Sequence, residues 1–252
     1  MQLVDLVLTQ LFDNVCDDER LSRLWGFSLL IETPGQRLLF DTGSNGRMLL
    51  ANARMLGKDL GRLDTLFLSH SHWDHLGGLD SILELNPGIR LVVPESLSPR
   101  LIADLPGLCG ELVVVRSEPC EFVPGFFSTG TLPGDMPEQA LVVPSPNGSL
   151  VVTGCAHPGI ERIAQQAIEQ TGQSIALLLG GFHLFDADQE TLDMRTKRLQ
   201  GLAVQHVLPT HCTGLKAALR LKALLGDRCL MGGCGRTLVF NDQAEPQFEP
   251  SP

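Results

Sequence analysis

The feature that most constrains the fold of this chain is a run of metal-binding residue types directly after a short apolar segment. His70, His72, Asp74 and His75 fall within six residues and follow Leu66-Phe67-Leu68. Because alternate residues of an extended segment point the same way, His70 and His72 can reach one metal ion. Asp74 and His75 follow where the chain turns into a helix, and we expect them to face a second metal. Imidazole suits zinc, iron or nickel, and a carboxylate adds a harder ligand.

Two further apolar segments end in a histidine shortly before a predicted helix. Val151-Val152-Thr153 leads to His157, and Val207-Leu208-Pro209 leads to His211. A catalytic metal needs about three protein ligands and one open position, so the first four residues do not suffice for two metals. Active sites of α/β folds gather at strand ends, and His157 and His211 are therefore candidates to complete the ligand set.

Short apolar runs alternate with helical patterns along the whole chain, which predicts one α/β domain over residues 1–252. Thr33-Pro34-Gly35-Gln36 and Pro146-Asn147-Gly148 are typical of tight turns between antiparallel strands, and so favour mixed sheets with helices outside. We expect residues 241–252 to be a frayed tail. Strands are predicted at residues 3–12, 27–32, 37–40, 65–69, 90–93, 111–115, 139–143, 149–153, 174–179, 206–209 and 237–240, and helices at 46–56, 76–85, 160–170, 188–200 and 215–225.

The charge balance restricts the partners of the protein. Acidic residues outnumber basic ones by 29 to 19, for a net charge of −10, which disfavours binding to nucleic acid or to an anionic membrane. A small anionic substrate remains compatible, because bound metals reverse the local charge. No apolar stretch is long enough to cross a bilayer, and the first residues lack the basic start of a secretory signal. We therefore expect a soluble, cytoplasmic protein that acts on a small molecule; the sequence does not predict its oligomeric state.

The seven cysteines are odd in number and follow no repeat, which is not typical of a secreted disulfide framework. Cys155 has two interpretations, a thiolate touching a metal or a packed thiol. His183 follows two glycines and is either an acid/base group of the site or a structural histidine. Cys212 adjoins His211, and on an extended segment it would point the other way.

The motif His-x-His-x-Asp-His after a strand resembles the signature of the metallo-β-lactamase superfamily, and residues 39–43, Leu-Phe-Asp-Thr-Gly, are similar to its first motif. Within the superfamily, residues 153–160, 180–184 and 209–214 resemble the branch named for dihydropterin–ribofuranosylaminobenzene-phosphate synthase. The resemblance runs from about residue 12 to 240. Three features depart from that branch: Ser71, Trp73 and the segment 130–134, which lacks a glutamate and an arginine. The loss of those two residues around Thr131 predicts that the pterin chemistry of the branch is not retained.

The resemblance implies a four-layer αββα sandwich of two mixed sheets and a centre of two divalent transition metals, zinc first, with iron or manganese as alternatives. One metal would be bound by His70, His72 and His157. The other would be bound by Asp74, His75 and His211. Asp41 would orient one of the ligand imidazoles.

The function that this set favours is hydrolysis by a metal-bridging hydroxide, attacking a carbonyl or phosphoryl centre of a small, anionic ester or phosphate compound. Asp74 would be a ligand that also accepts or orients a proton, and His183 would protonate the leaving group. Two alternatives stay open. One is an iron-dependent redox enzyme similar to persulfide dioxygenases, and the other is a non-catalytic metal-binding sensor.

Overall fold

The computed structural model describes residues 5–16, 18–241 and 247–248. Within them the strands are β1 Asp5–Phe12, β2 Ser28–Thr33, β3 Gln36–Phe40, β4 Thr65–Phe67, β5 Arg90–Pro94, β6 Glu111–Val115, β7 Cys120–Val123, β8 Phe126–Ser128, β9 Leu141–Val143, β10 Ser149–Thr153, β11 Ile175–Gly181, β12 Val204–Thr210, β13 Thr237–Asn241 and β14 Gln247–Phe248. The helices are α1 Gly46–Met55, α2 Trp73–Leu76, α3 Leu79–Leu85, α4 Pro99–Asp104, α5 Ile160–Thr171, α6 Gln189–Gly201 and α7 Leu215–Leu225.

The chain divides into two compact units, each built on its own sheet. The eight-stranded unit comprises the described residues of Leu3–Arg116 and Gly233–Pro252, and the six-stranded unit comprises Ser117–Gly232. The strand order is β14-β13-β1-β2-β3-β4-β5-β6 in the first sheet and β12-β11-β10-β9-β8-β7 in the second. Both sheets are mixed, since β3 to β6 and β10 to β12 pair in parallel and the remaining pairs are antiparallel. The predicted class, two mixed sheets with helices, is confirmed, while a single domain over 1–252 stays a prediction.

In the eight-stranded unit, α1 and α3 pack on one face of the sheet. Leu39, Leu66 and Leu91 lie in adjacent parallel strands and are fully buried. They belong to one apolar cluster with Leu49 of α1 and Ile82 of α3. Because apolar side chains recur at helical spacing in these helices and line one face of each strand, burying that face against the helices gives the unit its own core.

In the six-stranded unit, α5 and α7 have the same role. Val151, Leu178 and Val207 lie in the neighbouring parallel strands β10, β11 and β12, and join one buried cluster with Ile163 of α5 and Leu221 of α7. Parallel pairing requires a crossover connection; α5 connects β10 to β11, and α6 connects β11 to β12. The carboxyl ends of the three strands consequently meet at one edge of the sheet.

Both hairpins predicted from turn sequences are confirmed. Thr33 pairs with Gln36 in the β2–β3 hairpin, and Leu150 pairs with Val143 in the β9–β10 hairpin.

The helix predicted over 76–85 is interrupted, since α2 ends at Leu76 and α3 begins at Leu79. A Cβ atom on the intervening Gly77 would lie 2.4 Å from the backbone of Ser44, so this glycine allows a close approach between two backbone segments.

Some elements were not predicted from the sequence, among them the hairpin of β7 and β8 and the helix α4. Of the tail predicted to fray, residues 247–248 pair with β13, and residues 242–246 and 249–252 lie outside the described residues. Among the helices that the structure describes, none combines the length and apolar character needed to cross a membrane.

Candidate functional site

The segment that follows β4 changes from an extended chain to a short helix within six residues. His72 is extended, with φ −70° and ψ 143°, and caps α2, so that Asp74 and His75 fall in the first helical turn. His70 and His75 are fully buried, and Asp74 is 5% exposed. The carbonyl oxygen of His75 accepts hydrogen bonds at 2.8 Å from both the backbone N–H and the hydroxyl of Thr42, which fixes the turn.

His70 and His72 direct one ring nitrogen each toward a common point. Nε2 of His70 lies 3.2 Å from Nδ1 of His72, and the ring centroids are 4.8 Å apart. Two nitrogens bound tetrahedrally to one zinc ion, at the usual bond length, are about 3.3 Å apart. The observed separation therefore fits two ligands of one metal.

Asp74 and His75 form a second donor pair in the same segment. Oδ2 of Asp74 lies 3.7 Å from Nε2 of His75, and the ring of His75 is 4.2 Å, centroid to centroid, from that of His70. A carboxylate oxygen and an imidazole nitrogen at this separation can bind one ion between them.

Asp41 orients His75 directly, and His70 through Ser69, from a strained position. Its backbone has φ 55°, in the left-handed region, at the end of β3. Its carboxylate accepts hydrogen bonds from the backbone N–H and the hydroxyl of Ser69 at 2.8 and 2.7 Å, and Oδ2 lies 2.6 Å from Nδ1 of His75. The Ser69 hydroxyl, which donates to Asp41, can accept from Nδ1 of His70 at 2.9 Å. Nδ1 of both rings is thus the protonated nitrogen, and Nε2 is left as the ligand atom.

In the six-stranded unit, three adjacent parallel strands each carry a metal-binding residue two positions beyond their last residue. Cys155 follows β10, His183 follows β11 and Cys212 follows β12. Their donor atoms all lie within 4.8 Å of one another, with both thiols buried and His183 exposed. The three side chains therefore form one cluster at the carboxyl edge of this sheet.

Cys212 is part of this cluster because the chain leaves β12 through a 3-10 turn, His211–Thr213. The extended segment that the sequence analysis assumed for Cys212 is not observed, because residues 211–213 form this turn. Burial raises the pKa of Cys212, but hydrogen bonds with Cys155 and His183 and the charge of His211 outweigh burial and leave the pKa well below its ordinary value. The pKa of His183 is raised, first by its hydrogen bond with Cys212.

His157 and His211 lie in the two loops that were predicted from the sequence. The ring centroid of His157 is 4.5 Å from that of His183. His211 is 1% exposed and has φ 49°, again in the left-handed region. A non-glycine residue in this region costs free energy, and such residues are enriched where the backbone aims a functional side chain.

Sequence reasoning missed Glu138, a fully buried acid just before β9. Its carboxylate accepts hydrogen bonds from the Thr153 hydroxyl and from the consecutive backbone N–H groups of residues 154–157. The signal that could have found it is the register of the β9–β10 hairpin. Leu141 pairs with Val152, so the same register continued by three residues sets Glu138 opposite Cys155.

The family model of the metallo-β-lactamase superfamily matches residues 25–162, more than half of the chain, including the cluster His70 to His75 and His157. The chain belongs to the metallo-β-lactamase superfamily. Membership of this superfamily implies binding of divalent metal, and the imidazoles and carboxylate described above suit zinc, iron or manganese. Of the six predicted ligands, His70, His72, Asp74 and His75 belong to the eight-stranded unit, and His157 and His211 to the six-stranded unit.

Comparisons with individual proteins extend over most of the chain. The 7,8-dihydropterin-6-methyl-4-(β-D-ribofuranosyl)-aminobenzene-5'-phosphate synthase of Methanocaldococcus jannaschii is 30% identical over 241 residues, covering 76% of this chain and 82% of the relative. The crystal structure of Tm1679, a metal-dependent hydrolase of the β-lactamase superfamily, matches with a TM-score of 0.76 and 25% identity over 94% of this chain and all of that one. The metallo-β-lactamase fold protein YhfI from Bacillus subtilis, with a TM-score of 0.67 and 14% identity over 94% of this chain and all of that one, shares the fold.

Proposed function

We propose that the chain is a metal-dependent hydrolase whose two divalent ions are bound by His70, His72 and His157, and by Asp74, His75 and His211. The observation that carries the proposal is the 3.2 Å separation of Nε2 of His70 from Nδ1 of His72, which suits a shared metal. Family membership and the similarity to a metal-dependent hydrolase support the assignment. When bound, divalent ions act as Lewis acids and make a water nucleophile available near neutral pH.

The residues of the chain supply orientation and proton transfer. Asp41 and Ser69 hold the imidazoles of His75 and His70 with Nε2 free for metal binding. His183 is the candidate proton donor to the leaving group, because it is exposed and its ring adjoins that of His157. Asp74 binds metal and can also accept or orient a proton.

The substrate that we propose is a small anionic ester or phosphate compound. The relative from Methanocaldococcus jannaschii is named as the synthase of a phosphate compound, which supports a phosphate-bearing substrate class. The net charge of −10 would repel such an anion from the surface as a whole, and divalent ions would provide the positive charge that attracts it locally.

Metal analysis of the purified protein, combined with assays on bis-p-nitrophenyl phosphate and p-nitrophenyl acetate, tests the proposal. We expect about two zinc, iron or manganese ions per chain and turnover that chelation abolishes and metal restores, with little hydrolysis of a β-lactam. A protein that binds no divalent metal, and gains neither activity nor thermal stability when metal is added, would contradict it. Oxygen consumption with a thiol persulfide and iron would instead favour the redox alternative.

A further inference from the structure

The carboxylate of Glu138 holds the backbone of the loop that carries His157. Oε1 accepts hydrogen bonds from the backbone N–H groups of residues 154–156 at 2.8, 3.0 and 3.1 Å, and from the Thr153 hydroxyl at 2.8 Å. Oε2 accepts from the backbone N–H of His157 at 2.9 Å. One buried acid thus binds four consecutive amides that end at a proposed metal ligand.

These amides need a partner because the chain has left the sheet. β10 ends at Thr153, so residues 154–157 lie beyond the last strand pairing of that strand. Buried backbone N–H groups are costly when they are not hydrogen-bonded. Ala156 has φ 58°, and left-handed residues within a loop let successive N–H groups converge on one anion.

Two backbone features fix the position of Glu138 itself. Its backbone N–H and carbonyl exchange hydrogen bonds with Leu132, at 3.1 and 2.8 Å, in an isolated antiparallel bridge. The β9–β10 hairpin sets its position along the chain, since Leu141 pairs with Val152. The side chain is 0% exposed and all five donors belong to the same six-stranded unit, so the arrangement is internal to that unit.

We propose that Glu138 is a positioning residue for the metal centre, whose carboxylate fixes the 154–157 backbone and so holds the His157 imidazole ready in the metal-free protein. The proposal rests on the proposed function in so far as His157 is a metal ligand. We attribute the order of the loop to the negative charge of Glu138 and not only to the size of its side chain, because charged acceptors bind N–H groups more strongly than neutral ones.

Two variants separate charge from shape. Glu138→Gln keeps the size of the side chain but removes the charge and turns one oxygen into an NH₂ group, which faces N–H donors. Glu138→Asp keeps the charge on a side chain that is too short to reach all five donors. The matched control is Gln139→Met, at a neighbouring fully buried position whose Oε1 accepts a hydrogen bond from the Ser128 hydroxyl.

Amide hydrogen exchange of the metal-free, full-length protein tests the positioning. In Glu138→Gln we expect exchange of amides 154–157 to be at least about tenfold faster than in the wild type, while the amides of β11 keep their wild-type rates. Glu138→Asp should accelerate the exchange of amides 154–157 to an intermediate degree. If Glu138→Gln does not fold, the exchange rates of Glu138→Asp test the proposal. Gln139→Met should leave amides 154–157 unchanged. Wild-type exchange at these amides in the folded Glu138 variants would overturn the proposal.

Zinc titration against a chromophoric chelator tests the consequence for metal binding. We expect the Glu138 variants to bind one of two zinc ions about 10–100-fold more weakly while the other keeps its affinity, a split that uniform destabilisation would not produce. The link to the metal would be overturned by a variant whose loop amides exchange faster but whose affinities for the two zinc ions are both unchanged. It would be overturned equally if both affinities fell by the same factor. If the wild type binds no metal, the proposed function fails, and exchange alone still decides whether Glu138 positions the loop.

Discussion

Nδ1 of His75 lies 2.6 Å from Oδ2 of Asp41, which precedes it by 34 residues, and both side chains are fully buried. The contact joins the end of β3 to the turn of the histidine cluster. Asp41 accepts two further hydrogen bonds from Ser69, so its orientation does not depend on His75 alone.

Replacing Asp41 by Asn should therefore weaken metal binding without removing a ligand. The amide can present its NH₂ group to Nδ1 and favour the tautomer with the proton on Nε2, the nitrogen needed for the metal. We expect a loss of about 10–100-fold in metal affinity or activity. Competition with a chelator measures the affinity, and an unchanged affinity would show that the contact of Asp41 with His75 has no role in metal binding.

The proposed ligand sets predict that His72→Ala and His211→Ala each abolish hydrolysis. Each variant should lose one metal and keep its secondary structure, because each unit has its own apolar core. Metal content, circular dichroism and kcat/KM are the measurements. His206→Ala, at a half-buried histidine of β12, is the control and should keep both metal and activity. Retention of more than about a tenth of the activity in both ligand variants would contradict their role.

His183→Ala tests the proton donor. Loss of general acid catalysis should lower kcat by about 10²–10⁴-fold, with metal content unchanged. A substrate with a better leaving group should recover part of the loss, because its departure requires less protonation. If the variant loses a metal, His183 is a ligand and the role of His157 must be reassigned. Wild-type kinetics on poor leaving groups would make His183 structural.

Gly77→Ala should destabilise the fold next to the histidine cluster. The added Cβ would lie 2.4 Å from backbone atoms of Ser44, although Gly77 itself has an ordinary helical conformation, with φ −63°. Overpacking of this kind typically costs about 1–3 kcal/mol of unfolding free energy. Urea denaturation measures it. Gly107→Ala, where a Cβ meets nothing within 4 Å, is the control, and equal stability of the two variants would contradict the close packing.

Cys229 should be nearly inert toward thiol reagents in the folded protein. Burial raises the pKa of its thiol to about 11, so at pH 8 only about one molecule in a thousand carries the thiolate. The thiolate fraction rises only as the pH approaches the raised pKa, so alkylation should stay slow across the neutral range. Mass spectrometry after timed iodoacetamide treatment should show at least about a hundredfold acceleration on unfolding. Similar rates in folded and unfolded protein would contradict the burial.

The sequence by itself determined the features that depend on residues close together in the chain. The spacing of His70, His72, Asp74 and His75 predicted the candidate ligand segment, and the turn sequences identified both hairpins. Helix α7 was predicted with its observed bounds, because its apolar periodicity and its flanking glycines are local.

Only the tertiary structure decided which residues far apart in the chain meet within each unit. Cys212 joins His183 because the chain after β12 turns as a 3-10 helix, a conformation that the sequence pattern of a strand end does not indicate. Glu138 reaches residues 154–157 only through the register of a hairpin, and Asp41 reaches His75 through the pairing of β3 with β4. Such contacts depend on the relative placement of segments far apart in the chain. Local propensity and side-chain periodicity do not encode that placement, which is set by strand register and core packing.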